Sequence, residues 1–528
     1  GISSTGKGPA VLISTSGTAV VNFFPAVVEA SKKKVPLILL TADRPPELRK
    51  TGALQTIDQP GIFGKYVKWD FDLPVPETGI KPETVLTTID QAIFMAKSGT
   101  PGPVHINCMF REPLAPEESG KEWRKGLKLN NKWIKSGDPY TKYISPGDSF
   151  SADDLKEITD IVNRSKNGII VAGKLKDNEG KGVIELAEKL NWPIFPDLSS
   201  GLRLNNSTGS IIQYFDQVLL SDFADNEKID TILHLGGRIT SKRYYQFIEK
   251  VNPDHYITVL NHPLRNDPLH IVSHRVRSSV AGFVDAVLPE IVPGRDDVLV
   301  SKLRRASLIS EKIIEKFVRE KEKLNEIFIS REISNVVKDG NALFLSNSMP
   351  VRDMDMYAVS KGTNFYISGN RGASGIDGVI ASACGYSSSL NTPLTLLIGD
   401  IAFLHDMNSL ALVRDSRQQI IIVVINNNGG SIFSFLPVSE YKASFEKYFL
   451  TPHGLNFEHA AEQFGIKYSR VISKKEFSDE YRSALLGSEN IILEAVVDMD
   501  ENISAHKELQ SLIKKRLDKN EINEGENK

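Results

Sequence analysis

Two polar strand ends, Gly399-Asp400 and Asn426-Asn427-Asn428-Gly429-Gly430, carry the most specific chemistry in this sequence. Each follows an unbroken apolar run, residues 394–398 and 420–425. Asp400 and Asn427 are 27 residues apart, room for a helix and a return strand. A parallel sheet would then set both at its carboxyl edge, side by side. A carboxylate, an amide oxygen and a glycine-flanked backbone carbonyl are hard oxygen donors, suited to Mg²⁺ shared with phosphate oxygens and water. The implied chemistry is a metal-held diphosphate. Taken singly, each half reads as an Asp helix cap or an Asn-Gly turn. Their pairing behind two buried strands favours the ligand reading.

Other candidates lie at other strand ends. Ser348 and Arg352, in Asn347-Ser348-Met349-Pro350-Val351-Arg352, sit where helix N–H groups and an Arg can hold a carboxylate. The alternative is a Ser cap beside a surface Arg. Residues 369–378 hold four glycines around Arg371, a loop that lets a ligand approach the backbone. Asp43-Arg44 and Gln55 follow a third apolar strand, where a solvated loop pinned by Asp43 and Arg44 is the plain reading. Thr240-Ser241-Lys242-Arg243 reads by default as a solvated basic turn. Glu458-His459 reads as structural, with Asn456 capping a helix, and the sequons at Asn205 and Asn206 carry no function.

The elements that must position these residues alternate strand and helix. Strands are expected at 10–13, 35–40 and 103–108, with helices over 19–30 and 82–98. Residues 114–150, rich in Pro, Gly, Lys and Asp, read as a linker. A second unit follows: helix 152–164, strand 168–173, helix 182–190, then strands near 192–195, 231–235 and 256–260. Residues 301–335 read as one connecting amphipathic helix with Leu303, Ile313, Ile314, Phe317, Leu324 and Ile327 on its apolar face. A third unit spans 342–498, and the polar tail 501–528 is expected to fray. Apolar strands alternating with helices argue for parallel sheets covered on both faces. The resulting expectation is an α/β chain of three doubly wound domains, at 1–125, 151–300 and 323–510.

Composition narrows the function classes. Lys+Arg 64 against Asp+Glu 66 gives no bias toward nucleic acid or an anionic membrane. The longest pure aliphatic run, 420–425, is far short of a membrane span. Cys108 and Cys384 lack CxxC spacing and read as small buried hydrophobes in a reducing compartment, and the 10 histidines show no HExxH pattern.

Gly399-Asp400 followed by Asn426-Asn427 resembles the Gly-Asp-Gly…Asn-Asn fingerprint of thiamine-diphosphate enzymes, with Ile401 in place of the last glycine. Residues 14–18 (STSGT), 40–48 (LTADRPPEL), 369–378 (GNRGASGIDG), 426–433 (NNNGGSIF) and 457–461 (FEHAA) together resemble one family. It is that of the 2-succinyl-5-enolpyruvyl-6-hydroxy-3-cyclohexene-1-carboxylate synthases of menaquinone and phylloquinone biosynthesis. The resemblance implies pyrimidine-binding, central and diphosphate-binding domains. It also implies decarboxylation of 2-oxoglutarate with 1,4-addition of the succinyl unit to isochorismate. Thiamine diphosphate and Mg²⁺ or Mn²⁺ are the implied cofactors. A homodimer or homotetramer is implied, with active sites between chains, in the cytoplasm or, for a photosynthetic eukaryote, a plastid.

Residue by residue, the resemblance assigns Asp400, Asn427 and Gly429 to the metal and Ser16, Gly17 and Thr18 to the cofactor. Ile376 is the wedge that bends it. Ser348, Arg352 and Arg371 are assigned to substrate carboxylates, and Arg44, Gln55 and Lys242 to isochorismate or its adduct. Ile432 and Phe433 are assigned to the pocket lining. Both substrates are dianions, and Arg suits carboxylates bidentately. Leu54 stands where the family usually has Asn, and no acidic residue precedes Glu29. The family's cofactor-activating glutamate and an upstream Ser-Arg pair therefore have no counterpart. The start at Gly1, without Met and close to a buried strand, reads as a chain cut inside its first domain. Weak cofactor binding and slow or absent turnover are expected of it. Another thiamine-dependent 2-oxoacid enzyme, or an inactive cofactor-binding homologue, are the rival readings.

Overall fold

A computed structural model describes residues 1–77, 79–112, 114, 135–143, 150–176, 178–205, 208–294, 297–362 and 365–519. Most of the expected linker, 114–150, and Asn206 lie outside the described residues. The chain divides into two units, Gly1–Gly147 with Asn370–Gly378, and Asp148–Gly369 with Val379–Lys528.

The first unit is built on a parallel sheet of β1 (Ala10–Ser14), β2 (Leu37–Asp43), β3 (Asp70–Leu73) and β4 (Pro103–Met109), in the order β1-β2-β4-β3. The single helix expected over 19–30 is two, Thr18–Val21 and Phe24–Lys33, with Pro25 in the first turn of the second. Proline is tolerated there and not in a helix interior. Helix Pro82–Lys97 lies between β3 and β4 in sequence. The loop 370–378 belongs to this unit: Gly372 and Ala373 N–H donate to the Glu29 carboxylate at 2.8 and 2.7 Å.

The second unit holds two parallel sheets. The central one has β5 (Gly168–Ala172), β6 (Ile194–Pro196), β7 (Thr231–Leu235), β8 (His255–Leu260) and β9 (His274–Arg277), ordered β6-β5-β7-β8-β9. The last has β10 (Ala342–Leu345), β11 (Tyr366–Gly369), β12 (Leu394–Gly399), β13 (Ile420–Asn426), β14 (Lys467–Val471) and β15 (Ile491–Val496), ordered β11-β10-β12-β13-β15-β14. β13 is buried along its whole length, as a central parallel strand must be.

Two expectations need correcting here. The connecting segment is not one helix but two, Val298–Glu320 and Glu326–Val336. Asn325 restarts the chain as a cap, its side chain accepting from Phe328 N at 2.9 Å. The tail does not fray at 501: helix Met499–Asp518 is capped by Asp498, which accepts from Glu501 N at 2.8 Å. Its Ala505, Leu509, Ile513 and Leu517 recur every four residues and enter one core with Ile314, Phe317, Tyr244 and Ile232. Packing of that stripe outweighs the polar composition. Residues 520–528 lie outside the described residues.

Candidate active site

β12 and β13 are parallel neighbours in register, Gly399 opposite Ile425, so Asp400 and Asn427 leave the sheet at one edge. Asp400 opens helix Asp400–His405 and is 2% exposed. Its Oδ2 accepts from Asn427 N at 3.1 Å and Gly429 N at 3.0 Å, and its Oδ1 from Ile401 N at 2.7 Å. His453 Nε2 lies 3.2 Å from Oδ2. Burial pushes the Asp400 carboxyl up from its ordinary range, against the Gly429 amide, His453 and the Ile401 amide. A cation at this carboxylate would relieve that penalty.

Asn427 donates from Nδ2 to Glu326 Oε1 at 2.9 Å and to Ser431 Oγ at 2.8 Å. Its Oδ1 is buried and has no hydrogen-bond partner. A buried amide oxygen is rarely left bare, and a bound cation is the natural partner for this one. The Gly429 carbonyl accepts from Ser431 N at 2.9 Å and retains a second lone pair. The turn itself demands glycine. Gly429 has φ +139°, and a Cβ there would stand 2.2 Å from the Leu450 carbonyl oxygen. One carboxylate plus neutral oxygens is the donor set Mg²⁺ takes when phosphate and water complete its shell. The residues therefore fit a metal–diphosphate pair.

Beneath Asn427 lies a buried acid–base cluster that sequence reasoning missed. Glu326, Asp353 and His506 are each 1% exposed or less. His506 Nε2 bonds Asp353 Oδ1 at 2.9 Å and its Nδ1 bonds the Asn502 carbonyl at 2.8 Å. With acceptors on both ring nitrogens, the imidazole is protonated. Burial alone would lower it, but Asp353, Glu326 and the Asn502 carbonyl hold it up at about 9. Burial, then the Asp353 charge, push Glu326 up to about 8. Glu326 hides in an amphipathic stretch whose polar positions read as solvent-facing, so no motif pointed to it.

At the same edge of the same sheet, β10 leads into helix Met349–Tyr357 through Ser348. Ser348 has φ +70° and ψ −135°, unusual for a residue with a Cβ, and its hydroxyl does not cap the helix. The Arg352 guanidinium is exposed and donates to the Ser348 carbonyl. Ile432 is half-buried; Phe433 is 37% exposed and stands edge-on to Phe449 at 5.6 Å. The second unit thus brings Asp400, Asn427, Gly429, Ser348 and Arg352 to one sheet edge. Lys242 belongs to another edge: it is exposed at the start of helix Lys242–Val251, past the central strand β7. The basic turn beside it is not wholly solvated, because Arg243 pairs with buried Asp216.

In the first unit, Gly17 follows β1 with φ +79° and ψ −138°. Gln55 Nε2 donates to Thr15 Oγ1 and the Ser16 carbonyl, at 3.1 and 3.0 Å, and so holds the segment carrying Ser16, Gly17 and Thr18. Gly17 N donates to Gln59 Oε1 at 3.2 Å. Buried Gln59 in turn donates to Thr41 Oγ1, the Ala42 carbonyl and Asn107 Oδ1. Asp43 pairs with Arg49 at 3.0 Å, not with the Arg44 side chain, whose backbone N–H it accepts. Arg371 and Ile376 lie in the loop 370–378, Ile376 36% exposed. Leu54 is 88% exposed. His459 pairs with Glu462 on the surface, as a structural reading requires.

Among the described residues, no helix is long and apolar enough to cross a membrane. Burial pushes the Cys108 and Cys384 thiols up to about 11 and about 12, and both are free.

Comparison with known proteins fits this geometry. Residues 1–62 match the N-terminal TPP binding domain of thiamine pyrophosphate enzymes, 121–345 the middle domain and 350–495 the C-terminal TPP binding domain. The 2-succinyl-5-enolpyruvyl-6-hydroxy-3-cyclohexene-1-carboxylate synthase of Prosthecochloris aestuarii is 42% identical over 523 residues, 98% of this chain and 88% of the relative. That of Rubrobacter xylanophilus is 41% identical over 508 residues, 96% and 87% of the two chains. The structure of benzoylformate decarboxylase from Polynucleobacter necessarius superposes with a TM-score of 0.67 at 18% identity, over 94% of this chain and 88% of that one, and shows the shared fold. Identity at this level over nearly the full chain, with all three thiamine pyrophosphate enzyme domains matched, places the chain in the thiamine-diphosphate-dependent family of 2-succinyl-5-enolpyruvyl-6-hydroxy-3-cyclohexene-1-carboxylate synthases.

Proposed function

We propose that this chain catalyses the family reaction: it decarboxylates 2-oxoglutarate and adds the succinyl unit to isochorismate, in the route to menaquinone or phylloquinone. The observation that carries this reading is the buried, unpartnered Asn427 Oδ1 beside Asp400, in a chain 42% identical to a synthase of that name. Bound thiamine diphosphate supplies a nucleophilic carbon and a sink for the electron pair that CO₂ leaves behind.

The chain's own residues supply placement and charge. Asp400, Asn427 Oδ1 and the Gly429 carbonyl would hold Mg²⁺ or Mn²⁺ with the diphosphate. Ser16, Gly17 and Thr18 would contact the cofactor, and Ile376 would pack against it. Ser348, Arg352 and Arg371 bind substrate carboxylates, with Arg44, Gln55 and Lys242 on the isochorismate side. Fixed guanidinium groups fork onto carboxylates and orient two dianions that would repel each other in water. Ile432 and Phe433 line the pocket and exclude water. The working form is a homodimer or homotetramer.

The test is CO₂ release from 2-oxoglutarate or pyruvate, with and without isochorismate, and mass detection of the joined product. Slow release from 2-oxoglutarate, coupled to isochorismate, is the expected result of a chain with no acidic residue before Glu29. Equal release from pyruvate, with no joined product, would assign the chain to other thiamine chemistry. Asp400→Asn should abolish Mg²⁺-dependent cofactor binding, read by calorimetry.

A further inference from the structure

The Asn427 amide has two possible orientations, and only one turns its oxygen toward a cation. Nothing in the β13 backbone selects between them. The selection comes from Glu326, whose Oε1 sits 2.9 Å from Nδ2. Turning the amide over would set its oxygen against a carboxyl oxygen at that distance, a repulsive contact between two acceptors.

Glu326 is itself held by the start of its helix and by its backbone. It opens helix Glu326–Val336, directly after the Asn325 cap. Its N–H donates to Asn502 Oδ1 at 3.0 Å. Its Oε2, like Asp353 Oδ2, has no hydrogen-bond donor among its neighbours. Asp353 is the carboxyl neighbour of Glu326 in this cluster. Asp353 is anchored by His506 from helix Met499–Asp518. It also lies beside Arg352 on the helix that follows Ser348. The cluster thus ties the C-terminal helix, the connecting helix and the carboxylate-binding turn to one side chain at the metal edge.

We propose that Glu326, seated on Asp353 and His506, is a positioning residue that fixes the Asn427 amide with Oδ1 toward the metal. The proposal rests on the metal-ligand reading of Asn427. It assigns the buried cluster a task beyond stability, because partners behind a metal ligand set its orientation.

The experiment measures Mg²⁺ affinity by calorimetry on the full chain at saturating thiamine diphosphate, alongside the melting temperature of the ligand-free protein. Glu326→Leu should weaken Mg²⁺ binding about 10- to 100-fold, the range seen when such supporting partners are removed. Glu326→Gln should bind Mg²⁺ within about threefold of wild type. Glutamine keeps an oxygen that can accept from Asn427 Nδ2. Equal loss in the Leu and Gln variants, or wild-type affinity in the Leu variant, would overturn the proposal. Should Glu326→Leu not fold, a second pair reads the same contact. Asn427→Asp alone faces two carboxyls together and should weaken Mg²⁺ binding; adding Glu326→Gln supplies a donor and should restore it. Failure to restore also overturns the proposal. Asn427→Ala separates the two readings: if it leaves Mg²⁺ affinity unchanged, the ligand reading falls first and the positioning role with it.

Discussion

The turn after β1 and the turn after β10 reach the same backbone conformation with different residues. Gly17 has φ +79° and ψ −138°; Ser348 has φ +70° and ψ −135°. Both residues precede a helix that leaves the carboxyl edge of a parallel sheet. Their surroundings differ. A Cβ at Gly17 would stand 3.0 Å from Gln55 Cγ, and the Gly17 amide is already fixed by Gln59. At Ser348 a Cβ is present, in a region of backbone space that costs about 1–3 kcal/mol for any residue but glycine. The first turn is shaped by what packs on it. The second keeps a strained residue, and the proposed carboxylate contact is the reason to retain its hydroxyl.

The strongest way to break this comparison is Gly17→Ala. Backbone strain and the overpacking against Gln55 should together cost about 4 kcal/mol, read by chemical denaturation. A loss under ~1 kcal/mol would mean the turn adapts as Ser348's does. Acid should separate the two turns next. His105 Nε2 bonds Thr41 Oγ1 at 2.7 Å, and Thr41 accepts from Gln59. Burial, partly offset by Asp70, Asp72 and Asp43, lowers His105 to about 4. The unfolded chain takes up this proton near its ordinary value and the folded chain only near 4. Stability is therefore full above the ordinary value and is lost as pH falls toward 4, by on the order of 3 kcal/mol. His105→Gln should flatten that arm of a stability–pH curve; an unchanged arm would place the titrating group elsewhere.

Gln59→Leu sharpens the same contrast with a smaller effect. It strips buried partners from Gly17 N and Asn107, for about 2 kcal/mol, and should weaken thiamine diphosphate binding with it. Ser348→Gly is the mildest and runs the other way. Relief of strain should stabilise the protein by about 1 kcal/mol, while kcat/KM falls through a raised KM for the oxoacid. A destabilised Ser348→Gly variant would end the claim that strain is stored there.

The sheet edge was legible because apolar runs and their polar endings are local signals. The 27-residue spacing of Asp400 and Asn427 is realised as adjacent parallel strands. The orientation of the Asn427 amide was not legible, because it depends on Glu326, 101 residues away. Glu326 sits next to Ile327 in a stretch read as one helix, where a charged residue looks solvated; the break at Asn325 turns it inward. Gln59 gave no signal, since its role is set by four partners on other segments. The helix after Asp498 was hidden by composition, although its apolar residues repeat every four positions.

That last helix has a consequence for synthesis. Ala505, Leu509, Ile513 and Leu517 fill the core that covers one face of the central sheet, whose own strands end at Arg277. On a ribosome adding ~5–20 residues per second, the sheet must wait on the order of tens of seconds for the side chains that seal it. Its apolar face stays open until Leu517 has been made, which makes the nascent middle of the protein a natural client for chaperones.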